Sequence, residues 1–370
     1  MSDDHTLWDY QSESLRQLQL HTFEQVNEEE KTARGLTFIS DQNPLDTIDE
    51  FDFPEFTVKL DRRDAFAVLD LQRRRESSKY DDGYKIFQEK VYLFSNEEEE
   101  VFTAYALSDQ DFYLYGLRRF FTGLPGATTS FLSTSEIKKL LSSLESEVQG
   151  DVIVEEAVIK SPNSKTDIQY LNEPYYSLFS SKKVAEDDYF VDKVQFRIKN
   201  GRDSFSGFLS RNGDTRFTSG SGSVYFQYLL RNLSKSISEK GQLFVGKSRE
   251  YGSREAERLE IEYDPGEIKG VDANQDLIDT LRGMTHSSVT VYHSNPYMHA
   301  SILDFEDGST ADVFITSDRK ISIIPGFSAS RSSLTRICDS ITQGFGEGEV
   351  QEGENSKREF DSYFSGGQQA

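Results

Sequence analysis

The sequence predicts an α+β protein made of three consecutive antiparallel β-meander-plus-helix units in two layers, with an N-terminal helix and a disordered C-terminal tail. Three times along the chain, runs rich in β-branched and aromatic residues are followed by apolar residues at helical spacing. A helix that covers one face of an antiparallel sheet gives a two-layer core. The 370 residues exceed the ~250–300 at which single cores stop growing, so we expect several packed units.

The predicted divisions follow the composition along the chain. They are an N-terminal helix with an acidic linker (1–57), three meander-plus-helix units (58–150, 151–270 and 271–344) and a tail (345–370). The N-terminal helix is predicted over residues 6–33, because Leu15, Leu18 and Val26 fall on one stripe. Gly35 is a typical C-cap residue for that helix.

The first unit is predicted to contain four strands and a helix. The strand runs are residues 66–72, 84–94, 101–107 and 112–117. The helix is marked by five apolar residues at helical spacing, Ile137, Leu140, Leu141, Leu144 and Val148. Thr134 or Ser135 can cap its start, and Gly150 lies just past its end.

The second and third units repeat this order. The predicted strands are residues 151–160, 194–199, 204–210, 215–218 and 257–264 in the second unit, and 289–293, 298–305, 311–316 and 321–324 in the third. Helices are predicted around Phe226–Ile237, over residues 274–283, and around Leu334–Ile341. Asp307-Gly308 is predicted to form a two-residue hairpin turn, which sets the strand register around it.

Three histidines lie close together in the third unit and raise the question of a metal site. With Asp307-Gly308 as the turn, Met298, Ala300 and Ile302 point to the core and His299 to the other face. His293 is then predicted on the core face, so the two histidines would not share an ion, and we expect no metal site. The second face carries Leu303, Phe305 and Phe314. A sheet that is apolar on both faces is expected to be covered on both, by another unit or by a partner.

Charge and cysteine content restrict the class of protein. The formal net charge of −23 disfavours nucleic acid as a general partner and is also compatible with a halophile. The single cysteine, Cys338, excludes an intramolecular disulfide and lies on an apolar stripe, so we expect a buried structural thiol and a cytoplasmic location. We expect no signal peptide, because the N-terminus is acidic, and no membrane partner, because no run approaches ~18 apolar residues.

Clusters of basic residues and one short acidic segment support an alternative prediction of function. Arginines cluster at Arg62-Arg63, Arg73-Arg74-Arg75 and Arg118-Arg119, with Tyr113 and Tyr115 nearby. Such a patch is expected to contact phosphate, and the candidate contacts are Arg73, Arg74, Arg75, Arg118 and Arg119. Asp264, Glu267 and Lys269 loosely match the acidic and E-x-K pattern of metal-dependent nucleases, whose carboxylates hold Mg²⁺. The simpler interpretation is that the arginines neutralise neighbouring acids and that the acidic string is accidental.

The tail contains the segment KREFDSYF, in which Phe360, Tyr363 and Phe364 occupy one face of a helical turn. The spacing resembles the sliding-clamp-binding peptide of replication and repair proteins, with Lys357 where that peptide has glutamine and Phe360 where it has an aliphatic residue. The resemblance implies docking on a clamp. More generally, aromatic residues in a disordered tail indicate a docking peptide for a protein partner.

The sequence shows no nucleophile elbow, phosphate-binding loop or dinucleotide fingerprint, so no cofactor is predicted. The leading prediction is a non-catalytic protein-interaction or assembly module of an intracellular complex, with the tail as its docking peptide. The alternative is a nucleic-acid-processing factor, either a metal-dependent nuclease or a DNA- or RNA-binding protein, and the tail resemblance extends this alternative to a sliding-clamp-associated protein.

Overall fold

The computed structural model describes residues 14–78, 83–96, 98–162, 165–185, 189–200, 203–249, 257–315 and 317–353. It confirms an α+β fold in which helices accompany large antiparallel sheets. The chain divides into two compact units, Met1–Gly241 and Gln242–Ala370. Each unit is built around a sheet of its own.

The first unit contains an 11-stranded sheet in which every described pairing is antiparallel. Its strands are β1 (Ala33–Ser40), β2 (Phe56–Arg62), β3 (Ala67–Glu76), β4 (Tyr84–Ser95), β5 (Val101–Leu107), β6 (Ala127–Thr128), β7 (Asp151–Lys160), β8 (Thr166–Pro174), β9 (Phe190–Asn200), β10 (Asp203–Ser210) and β11 (Asp214–Gly220). The strand order is β2-β3-β4-β5-β1-β11-β10-β9-β7-β8, and β6 pairs with β1.

Helices pack on both sides of this sheet. They are α1 (Leu15–Asn27), α2 (Pro44–Glu50), α3 (Gln110–Phe112), the π-helix π1 (Tyr113–Arg118), α4 (Arg119–Thr122), α5 (Thr134–Val148), α6 (Tyr175–Phe179), α7 (Lys182–Ala185), the π-helix π2 (Val224–Leu230) and α8 (Arg231–Gln242). Successive side chains of a strand point to opposite faces. Accordingly Ala33 and Ile39 of β1 join one hydrophobic cluster, with α1, α5 and π2, whereas Leu36 and Phe38 join another, with π1 and α4.

Strand β1 joins the two halves of the sheet, because it pairs with β5 on one side and β11 on the other. The meander β2-β3-β4-β5 and the meander β9-β10-β11 therefore belong to one sheet. The structure does not confirm three separate meander-plus-helix units. The predicted helix α5 is confirmed, and its five buried residues are the five that the spacing predicts.

Two sequence predictions within the unit Met1–Gly241 are wrong. The N-terminal helix does not extend to residue 33, because α1 ends at Asn27 and Gly35 lies inside strand β1. A Cβ at Gly35 would meet the Thr215 and Tyr225 hydroxyl oxygens at 2.9 Å, so close packing explains this glycine. Residues 112–117 are helical and not a strand, because Phe112, Gly116 and Leu117 are buried at helical spacing.

In the residues that the structure describes, the second unit contains a six-stranded antiparallel sheet and two helices. The strands are β12 (Leu259–Glu262), β13 (Ser287–His293), β14 (Met298–Asp304), β15 (Thr310–Ile315), β16 (Lys320–Pro325) and β17 (Glu349–Glu352), in the order β13-β14-β15-β16-β12-β17. The helices are α9 (Gly270–Arg282) and α10 (Arg331–Gly344). Their apolar sides are buried, as is Cys338, which confirms the prediction for that thiol.

The predicted register of the β14–β15 hairpin is wrong by two residues, although the predicted core face is confirmed. Ala300 pairs with Val313 and not with Ile315, because β14 ends at Asp304 and β15 begins only at Thr310. The longer loop is held by side chains: Asp304 accepts a hydrogen bond from the backbone nitrogen of Glu306, and Asp307 accepts one from that of Ser309. A shift by two residues keeps every side chain on its predicted face.

Candidate functional site

The outward face of the small sheet carries an aromatic surface on its β13–β15 side. A cross-strand register aligns His293 with His299, and His299 with Phe314. The His299 and Phe314 rings are stacked, with centroids 4.2 Å apart, and Tyr292 lies 4.8 Å from His299. Leu303 lies on the same face, two positions along β14 from Ser301. We call the surface formed by Tyr292, His293, His299, Leu303 and Phe314, together with Phe305 just after β14, the aromatic face.

Several side chains of the aromatic face are in contact with solvent. Tyr292 is 57% exposed, Leu303 40% and Phe305 61%. A bulge between Val291 and His293 turns His293 toward His299, so the prediction that these two histidines lie on opposite faces is wrong. The sequence predicts an apolar second face at Leu303, Phe305 and Phe314. In the part of the chain that the structure describes, Leu303 and Phe305 on this face remain exposed to solvent.

The two histidines do not form a metal site with any third ligand in the described part of the chain. His299 Nε2 lies 3.7 Å from Asp312 Oδ1, which is beyond hydrogen-bond distance. Among the described residues, no group of three or more His, Cys, Asp or Glu side chains could hold a metal ion. The imidazoles of this face are therefore best understood as part of its aromatic packing.

The arginines that the sequence singles out at the end of β3 lie against tyrosines. The Arg75 guanidinium lies 4.5 Å from the centroid of the Tyr115 ring, and that of Arg74 lies 5.5 Å from Tyr84. Arg73 donates to Glu55 Oε2 and to the carbonyl oxygen of Tyr115, both at 2.7 Å. The pairing of Arg73 with an acid agrees with the neutralising interpretation, while Arg74 and Arg75 are exposed.

Arg118 belongs to a different cluster from Arg73–Arg75, around the buried carboxylate of Asp214. Arg118 donates Nη1 to both carboxylate oxygens at 2.8 Å, and the Tyr113 hydroxyl donates to Oδ1 at 2.6 Å. The Ser210 hydroxyl donates to Oδ2, also at 2.6 Å. Burial and then the Asp214 charge raise the pKa of Tyr113 well above its ordinary value, so Tyr113 remains a neutral donor. Arg119 is exposed on α4.

A row of polar and aromatic side chains that the sequence did not predict crosses the large sheet, on the face that carries Leu36 and Phe38 of β1. Directly opposed residues link six strands in succession: Arg34 on β1, Arg216 on β11, Phe208 on β10, Gln195 on β9, Glu156 on β7 and Tyr170 on β8. We call these six residues the cross-strand row. Opposed residues share one face of a sheet. Tyr170 is 78% exposed, and the other five are partly exposed.

Arg34 and Arg216 stand directly opposite each other in this row, although like charges in that position destabilise a sheet. Burial and then repulsion from Arg216 lower the pKa of Arg34, and burial lowers the pKa of Arg216. Arg216 donates Nη2 to Gln195 Oε1 at 2.7 Å and lies over the Phe208 ring. Its Nε has no hydrogen-bond partner among the described residues. The only signal in the sequence was a single arginine inside each of the two strands, β1 and β11.

The acidic string in the second unit does not have the geometry that the nuclease interpretation requires. Asp264 and Glu267 flank a turn, in which the Glu267 nitrogen donates to the Asp264 carbonyl oxygen. Glu267 and Lys269 follow β12 in a loop before α9 and do not lie on a strand. Their side chains are exposed, so they do not line an enclosed metal pocket.

The tail residues Phe360, Tyr363 and Phe364 lie outside the described residues, so their predicted role remains a prediction. No helix within the described ranges is both long enough and apolar enough to cross a membrane.

No protein-family model matches the chain, and no curated protein matches it. Functional inference therefore depends on the two faces themselves.

Proposed function

We propose that the chain is a non-catalytic protein-interaction module that docks a partner protein on the aromatic face of its small sheet. The observation that carries this proposal is the exposure of Tyr292, Leu303 and Phe305 on one side of a folded sheet. Contiguous exposed apolar surface marks interaction sites in folded proteins. Aromatic side chains are enriched at such interfaces, because they bury a large area with few rotatable bonds.

The partner surface is expected to be apolar at its centre and basic at its rim. Glu306 is exposed just beyond Phe305, and Asp312 is partly exposed beside His299. The net charge of −23 favours encounter with a positively charged protein, because complementary charge increases the association rate. Apolar contact at the centre then supplies most of the affinity.

Two parts of this proposal rest on sequence alone. The tail aromatics Phe360, Tyr363 and Phe364 would provide a second docking element, and the sliding-clamp resemblance names one kind of partner for it. A cytoplasmic location fits the single buried thiol, Cys338, because disulfides are rare in reducing compartments. The nuclease alternative has weaker support, since Glu267 and Lys269 lie in an exposed loop.

Co-purification with matched variants tests the aromatic face. The double variant Leu303→Ser/Phe305→Ser removes exposed apolar side chains from this face and should fold normally. The control, Ile168→Ser/Tyr176→Ser, removes equally exposed apolar side chains from the first unit. A partner is first identified as a protein that co-purifies with wild type and with the control. The purified partner is then expected to bind the Leu303→Ser/Phe305→Ser variant at least about tenfold more weakly than it binds wild type. Equal binding by all three chains would contradict the proposal.

A further inference from the structure

We propose that the cross-strand row of the large sheet is a binding site for single-stranded nucleic acid, with Arg34 and Arg216 contacting phosphate and Phe208 and Tyr170 contacting bases. This site is independent of the aromatic face and lies in the other unit. It brings together cationic, amide and aromatic side chains on one face by strand register alone. A sheet face of this composition is one of the recurring platforms for unpaired bases.

The opposed arginines indicate an anionic ligand. Guanidinium groups on directly opposed residues repel each other, and after burial the charge of Arg216 is the second cause that lowers the pKa of Arg34. A phosphate bound between them would remove this repulsion and would receive planar, multidentate hydrogen bonds.

The rest of the row distinguishes a nucleic acid strand from an acidic peptide. Across β10, β9, β7 and β8 the row continues with Phe208, Gln195, Glu156 and Tyr170. An acidic peptide lying along this line would meet the like charge of Glu156, whereas a base can donate to Glu156 and to the Gln195 amide oxygen. The exposed ring of Tyr170 offers a surface on which a base can stack, which contributes ~1–3 kcal/mol per base in other proteins.

The net charge of −23 does not exclude this site. At physiological ionic strength the Debye length is about 8 Å, so distant surface acids are largely screened at the row. Arg197 lies on the same face of β9, two residues along from Gln195, but it pairs with Glu155 at 3.4 Å, so the positive charge of the row comes from Arg34 and Arg216. Local charge, and not the total, then decides phosphate contact.

Fluorescence anisotropy with a short labelled oligouridine, and with oligothymidine of the same length, tests the proposal on the full chain. Wild type should bind both, with affinity falling as salt rises. Arg34→Gln/Arg216→Gln should weaken binding about tenfold or more and lower the magnitude of the salt slope by about 1.4, since each phosphate contact on a single strand contributes ~0.7. Tyr170→Ala, at an exposed position, should weaken binding about tenfold without affecting folding.

Three controls make the outcome decisive. Arg62→Gln/Arg63→Gln removes the same charge from arginines paired with Asp46, Asp49 and Asp61, and it should leave binding unchanged. Arg73→Gln/Arg75→Gln tests the rival arginines beside Tyr115, and loss of binding only there would overturn the proposal. A polyglutamate peptide should bind more weakly than either oligonucleotide. Failure of wild type to bind either oligonucleotide at low salt, or stronger binding of the peptide, would also overturn it.

Discussion

At Asp214, hydrogen bonds from three side chains converge on a carboxylate that lies in the large sheet at its central β1–β11 seam. The donors come from separate parts of the chain: Tyr113 and Arg118 belong to π1, and Ser210 ends β10. The Tyr113 hydroxyl also lies 3.1 Å from the Gly35 carbonyl oxygen of β1. Together these bonds connect π1 to both strands of the seam, and removal of Asp214 leaves the buried Ser210 hydroxyl and the partly buried Arg118 without this acceptor.

Asp214→Ala is expected to destabilise the first unit by about 3 kcal/mol. The variant leaves the buried Tyr113 hydroxyl and the partly buried Arg118 without their carboxylate, and breaking a buried ion pair by removing one partner has a cost of this size. Urea unfolding followed by circular dichroism gives the change in the free energy of unfolding.

Asp61→Ala is the matched control. It also removes a carboxylate that pairs with an arginine, Arg63, but the Asp61 side chain is exposed to solvent. Its expected effect is below about 1 kcal/mol, as for other surface ion pairs. Equal effects of the two variants would show that the Asp214 cluster has no special role in stability.

At the scale of elements, the β14–β15 loop is fixed to the start of α10 by Asp307. Its carboxylate accepts hydrogen bonds from the Ser330 hydroxyl and the Ser309 nitrogen, and Ser330 caps α10. Burial alone would raise the pKa of Asp307, but these hydrogen bonds and the charge of Arg336 lower it below its ordinary value. The ionised form is thus the one that the fold stabilises.

This pKa shift predicts how the stability of the second unit depends on pH. A lowered pKa in the folded state adds stability that is fully present above the unfolded pKa of ~3.9 and is lost as pH falls through the folded value. Asp307→Asn should therefore be less stable than wild type by about 1 kcal/mol at pH ~6, a modest value because the side chain is partly exposed.

The difference between wild type and Asp307→Asn should shrink as the pH of urea titrations is lowered below ~3.9. Asp276→Asn, on the exposed side of α9, serves as control and should follow wild type at every pH. A difference that stays constant down to the lowest pH would show that the carboxylate charge of Asp307 is not responsible.

Sequence patterns predicted most individual elements but missed those that depend on distant contacts. The helix α5 is recognisable because five buried apolar residues repeat at helical spacing within one segment. Residues 112–117 are aromatic-rich and look like a strand, yet π1 is helical because Phe120, Phe121 and Leu36 surround it in the core. The β14–β15 register depends on Asp304 and Asp307 contacting α10, which a two-residue turn rule does not include.

At the scale of the whole molecule, the largest difference from the sequence prediction is the pairing of β1 with β11. Ala33 and Phe217 are register partners although most of the first unit separates them along the chain. Local patterns identify strands but not their distant neighbours, because register reflects packing of the entire sheet. The cross-strand row was hidden for the same reason: Arg34 and Arg216 are brought together only by this pairing.

The first unit should fold by itself. Every buried residue of its two hydrophobic clusters, from Leu18 to Ile237, lies before the boundary at Gly241. A fragment of residues 1–249 contains both clusters and all strands of the large sheet. It is expected to unfold cooperatively in urea, because a unit with a complete core is the basis of independent folding.

Asp214→Ala provides the quantitative check on this independence. If the cluster around Asp214 depends only on the first unit, the variant should lower the free energy of unfolding equally in the fragment and in the corresponding transition of the full chain, to within about 0.5 kcal/mol. Asp307→Asn in the full chain should leave that transition unchanged, since Asp307 belongs to the second unit. A fragment without a cooperative transition, or an Asp214 effect that differs more widely between the two chains, would mean that the large sheet needs the second unit in order to fold.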